Sequence, residues 1–98
     1  MKNELINGQE IRCYDNGGKT FDRYTVVYMN QREINFNIIF RSGPPTFSCV
    51  GMSEHPFHPQ GFGQQSSAMP GRHLGRRIKF EELPPDCQKL VKHDLTPT

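Results

Sequence analysis

Ninety-eight residues, 34% of them apolar, with a mean hydropathy of -0.71 and a net charge of +2, describe one domain with room for one modest core. No apolar run approaches the ~18 residues of a membrane span, and the N-terminal MKNELINGQE lacks the apolar region of a signal peptide. Membrane and secretory classes are therefore not expected, and the odd set Cys13, Cys49 and Cys87 reads as buried thiols in a reducing compartment, not a disulfide framework.

In chain order, residues 1–9 are short and polar and suggest one helical turn closed by Asn7-Gly8. Ile11 to Tyr14 alternate and predict a first strand, and Asp15-Asn16-Gly17-Gly18-Lys19 has the chemistry of a hairpin turn. Arg23 to Met29 (RYTVVYM) predicts a second strand. Apolar side chains fall on both its faces, which places it centrally. Asn30 to Glu33 reads as a polar turn. Ile34, Phe36, Ile38 and Phe40 then alternate with mostly polar neighbours, and Ser42-Gly43-Pro44-Pro45 breaks that third strand. Thr46 to Met52 predicts a fourth strand, and Arg76 to Phe80 a fifth with Ile78 and Phe80 inward.

The last element is the clearest helix, over residues 84–95. Pro84-Pro85 suits its first turn, Asp86 opposes the positive end of its dipole, and Lys89, Lys92 and His93 lie toward the other end. Leu83, Cys87, Leu90, Val91 and Leu95 form one apolar stripe that requires a sheet to pack on. The expected fold is α+β: about five antiparallel strands in a meander or partial barrel, a C-terminal helix, and one long irregular loop over residues 53–75.

That loop attracts the functional reading. Gly51 to Gly75 holds three of the four histidines, five of the nine glycines and three of the eight prolines, with no periodicity. A structureless segment longer than ~15 residues in a small domain is usually functional or disordered. Residues 34–80 carry five basic side chains and one acid, a local charge of +4, against -2 for the remainder. This points to an anionic partner, although a solvated basic face explains the same charge.

Three chemistries compete for these residues. Cys49, His55, His58 and His73 are formally a zinc ligand set, but Pro56 and Pro59 restrict the backbone after the first two histidines. Hydrolysis would draw on Glu54 with His55 or His58, with Ser53, Ser66 and Ser67 as nucleophile candidates, yet no Gly-x-Ser-x-Gly elbow occurs. Phosphate or nucleotide binding uses the most residues. Arg72, Arg76 and Arg77 supply bidentate donors, and His55, His58 and His73 add hydrogen bonds. Phe57 and Phe62 suit stacking on a base, and Gln60 and Gln64 suit amide contacts. Neither G-x-x-x-x-G-K nor G-x-G-x-x-G is present, and the bland alternative is a basic strand that resists edge aggregation.

Three segments carry a resemblance: YDNGGKTFDRYTVVYM at 14–29, GMSEHPFHPQGFGQ at 51–64 and LGRRIKFEELPPDCQKLVKHDL at 74–95. Together they are similar to a group of small uncharacterised proteins encoded by bacteriophages and other mobile elements. The resemblance implies a bacterial host cytoplasm and a binding role, such as antagonism of host defence by sequestering a signalling nucleotide. The expectation is thus a non-enzymatic binder of an anionic small ligand, with no cofactor. A protein–protein inhibitor or structural phage component is the alternative, and a zinc-dependent hydrolase the third. A total charge of +2 makes extended nucleic acid a poor partner. An open sheet edge would allow a homodimer.

Overall fold

The computed structural model describes residues 3–20, 22–33, 46–57, 59–61 and 63–96. Six antiparallel strands and one helix account for its regular structure: β1 (Glu4–Ile6), β2 (Gln9–Asp15), β3 (Tyr24–Glu33), β4 (Thr46–Met52), β5 (Gly63–Ala68), β6 (Arg76–Ile78) and α1 (Pro85–Asp94). The first five run in meander order, and β6 pairs with β2. Because β1 pairs with residues 9–11 of β2 and β6 with residues 13–15, the two short strands share one edge of β2 end to end. Among the described residues β5 pairs with neither of them, so the sheet stays open instead of closing into a barrel.

Successive side chains of a strand point to opposite faces. β3, with Val26 and Val27 both fully buried, is apolar on both faces and lies in the middle of the sheet, as its sequence predicts. One face carries Ile11, Cys13, Val26, Tyr28, Val50 and Met52, and it is covered by Cys87 and Val91 of α1 with the flanking Leu83 and Leu95. The helix begins with Pro85 at its first position and Asp86 in its first turn, and ends with Lys92 and His93 in its last. Tyr28 ties that last turn to the sheet, its hydroxyl donating to Asp94 Oδ2 at 2.9 Å. Burial, reinforced by that carboxylate, raises the phenol's pKa. Burial likewise pushes the Cys13 and Cys87 thiols up to about 12, which makes them packing groups and not nucleophiles.

Four sequence expectations are corrected. The N-terminal segment is a strand, not a helical turn: Asn7 and Gly8 sit at φ 51 and 80, the conformation of a two-residue hairpin turn joining β1 to β2. The expected turn at Asn30–Glu33 continues β3 across a register irregularity between Val27 and Arg32, where Asn30 Oδ1 accepts the Glu10 N–H at 2.5 Å. The loop over 53–75 is not irregular throughout, because β5 forms inside it and pairs with β4 along its whole length. The strand beginning at Arg76 stops at Ile78, and Phe80–Glu82 forms a 3-10 turn. The expected strand at 34–41 lies outside the described residues.

Candidate functional site

Among the described residues, the face of the sheet away from α1 is only partly closed. Tyr14, Val27 and Cys49 form a small apolar cluster there, flanked by Met29, Phe47, Ala68 and Leu74. The chain after β5 crosses back to β6 through a 3-10 turn at Arg72–Leu74. That return path, with Leu74 resting on the cluster, leaves two clefts open on this outer face.

The first cleft, about 490 Å³, is lined by Tyr14, Gly71, Arg72, Gly75, Arg76 and Arg77. All three arginines singled out from the sequence therefore line one cleft, although strand alternation turns Arg76 and Arg77 to opposite faces of the sheet. Arg77 lies opposite Tyr14 in the β2–β6 register, and its guanidinium stands 5.7 Å from the Tyr14 ring centre, which fixes its direction by a cation–π contact. Arg76 lies opposite Asp15, and Arg72 is exposed at the rim. Gly75 makes the arrangement possible. Its φ of 114 is one that other residues rarely adopt, and a Cβ there would fall 2.4 Å from the Asp15 carbonyl oxygen. Only glycine lets the arginine segment lie this close to the end of β2.

Asp15, the register partner of Arg76, is already engaged. Its Oδ1 accepts from Arg23 Nε at 2.8 Å, and Oδ2 accepts from Arg23 at 3.2 Å. The Arg23 hydrogen bond lowers the Asp15 pKa, opposed by partial burial and assisted by the Gly17 N–H and by the charges of Arg23 and Arg76. Asp15 is thus engaged by Arg23, and no acid is among the residues that line the cleft.

The second cleft, about 330 Å³, is lined by Asp22, Thr25, Gly51, Gln64, Ser66 and Leu74, among others. Neither it nor Asp22 was singled out from the sequence. The β4–β5 register, which sets Gly51 opposite Gln64 and Cys49 opposite Ser66, was the missing information.

The structure separates the remaining predicted residues from the arginine cleft. The turn after β4 packs beside α1: the Cys87 thiol donates to the Ser53 carbonyl at 3.2 Å, and Lys89 Nζ lies 5.8 Å from the Phe57 ring centre. His55, Phe57 and Gln60 belong to that turn and are exposed, Phe57 at 53%. Gln64 lines the second cleft, and His73 is exposed beside Gly71. His58 and Phe62 lie outside the described residues. Of the formal zinc set, Cys49 is buried at mid-strand on the outer face, while His55 sits in the turn beside the helix. Among the described residues no three His, Cys, Asp or Glu side chains group closely enough to hold a metal. No described helix is long and apolar enough to cross a membrane.

Comparison with protein-family models, curated proteins and solved structures finds no match to this chain.

Proposed function

We propose that this chain is a non-enzymatic binding protein whose arginine cleft captures an anionic small ligand of the nucleotide class. The observation that carries the reading is that Arg72, Arg76 and Arg77 line one cleft together with Gly71, Gly75 and Tyr14. Guanidinium groups match phosphate oxygens bidentately, and glycines on the rim let a ligand approach the backbone. Together with the likeness to small phage-encoded proteins, this supports sequestration of a signalling nucleotide in a bacterial host, a counter-defence role. The residues proposed to hold phosphate are Arg72, Arg76 and Arg77, with His73 at the edge. Binding should weaken as salt rises, because the attraction is between exposed charges.

The test is calorimetric titration with pyrophosphate and a panel of linear and cyclic nucleotides. Saturable binding by at least one of them is expected. In the double variant Arg72→Ala/Arg76→Ala, both positions exposed, the affinity should fall about a hundredfold. No heat from any member of the panel at millimolar ligand would end this reading.

A second reading has its own observation. β5 is the terminal strand of the sheet, and five of its six residues are exposed. A strand edge can pair with another protein or with a second copy of this chain. Light scattering of the purified protein, and copurification from host lysate, separate these from the ligand-binding reading.

A further inference from the structure

The two clefts of the outer face share a floor. Arg77 pairs with Tyr14, Tyr14 with Thr25, Thr25 with Gly51, and Gly51 with Gln64. Paired residues point to the same face, so one row crosses β6, β2, β3, β4 and β5 from a guanidinium to an amide. Neighbouring strands stand ~4.8 Å apart, which puts Gly51 roughly 10 Å from Tyr14, the span of a nucleoside phosphate. Leu74 sits on the Tyr14–Val27–Cys49 cluster and lines the second cleft, while its neighbours Gly71, Arg72 and Gly75 line the first. The segment between the clefts is thus a low ridge over a continuous floor.

The chemistry of the two ends is opposite. The first cleft is lined by three arginines and no acid, with the Arg77 guanidinium over Tyr14 on the outer face and Arg72 exposed at the rim, and guanidinium groups are donors only. The second presents the Asp22 carboxylate, an acceptor, with Thr25, Gln64 and Ser66 around it. Asp22 Oδ1 already accepts from the Thr20 hydroxyl at 2.6 Å, which orients the carboxylate. Its Oδ2 lies over Gly51, where a Cβ would stand only 3.1 Å away, so glycine leaves the carboxylate room above β4. A carboxylate repels phosphate and accepts from N–H and O–H groups. Phosphate therefore belongs at the arginines, and an uncharged, donor-bearing group belongs at Asp22.

Resting on the binding reading above, we propose that the outer face is a bipartite site for a nucleoside phosphate. The phosphates occupy the arginine cleft. The donor-bearing part of the nucleoside reaches Asp22 and Gln64. Two parts of a nucleoside share that chemistry, the ribose cis-diol and the amino–imino edge of guanine.

The experiment titrates the full chain with pyrophosphate, ADP, GDP and 2′-deoxy-GDP. Both nucleoside diphosphates of the ribose series binding more tightly than pyrophosphate, with the deoxy form weakened, assigns Asp22 to the diol. GDP alone binding more tightly than pyrophosphate, with its deoxy form unchanged, assigns it to the guanine edge. Either result is accompanied in Asp22→Asn by a fall of about tenfold in the ratio of nucleoside diphosphate to pyrophosphate affinity. Gly51→Ala, which crowds the carboxylate without removing it, lowers the same ratio by less and guards against a folding defect in the first variant. Nucleoside diphosphates that bind no tighter than pyrophosphate, or a ratio unmoved by both substitutions, overturn the bipartite site and leave the arginine cleft standing. Failure of pyrophosphate and all three nucleotides to bind overturns both.

Discussion

One sheet presents two very different faces. The face under α1 is closed: Ile11, Cys13, Val26, Tyr28, Val50 and Met52 meet an amphipathic helix, and even its thiols are held neutral by burial. The other face has a smaller apolar patch of Tyr14, Val27 and Cys49, roofed only in part, among the described residues, by the segment that carries Leu74 and three arginines. On the proposed reading, the contrast separates stability from recognition. Side chains that hold the fold together lie mostly on the helix side, and the proposed ligand-binding clefts open on the other.

That division can be broken first on the helix side. Met52 is fully buried against α1, and Met52→Ala should cost about 2–5 kcal/mol of folding free energy, read from urea denaturation. Its folded fraction should still bind phosphate ligands like the parent. Loss of binding at a concentration of urea where the variant remains folded would show that the faces are not independent. Gly75→Ala sits where they meet. The unfavourable φ and the contact with the Asp15 carbonyl should cost about 1–3 kcal/mol, and here stability and ligand affinity should fall together.

The smallest expected effect is a pH dependence beside the arginine cleft. Asp15 has a lower pKa in the folded chain, chiefly because Arg23 donates to it, so it favours folding when ionised. Its contribution is present above the ordinary carboxylate range and is lost as pH falls through that range to the lower folded value. Thermal melts of Asp15→Asn should therefore lose part of the acid-side decline that the parent shows below about pH 4. An unchanged slope would mean that other carboxylates carry the whole decline.

Much of the fold was legible because its signals were local. β2 and β4 show in their apolar and β-branched runs, β3 announces its central place by burying adjacent valines, and α1 follows from one stripe and two prolines. β5 was not legible. Its sequence, GQQSSA, has no apolar alternation, and it is a strand because its backbone pairs with β4 from Phe47 to Met52. β1 carried its signal in Asn7-Gly8, but three residues are too few for periodicity to declare a strand. The site was legible in part for the same reason. Arg72, Arg76 and Arg77 are close in sequence and so could be grouped by charge alone. The placement of His55 and Phe57 beside α1, and of Asp22 across from Gln64, depends on pairings between distant segments.

The central claim is that ligand recognition belongs to the face away from the helix. Amide chemical-shift mapping of the isotopically labelled chain with pyrophosphate tests it directly. The account predicts saturable shifts at Tyr14, Gly71, Arg72, Gly75, Arg76 and Arg77, with little change along α1 or at His55 and Phe57. Shifts confined to α1 and the turn after β4, or none at saturating ligand, would contradict it.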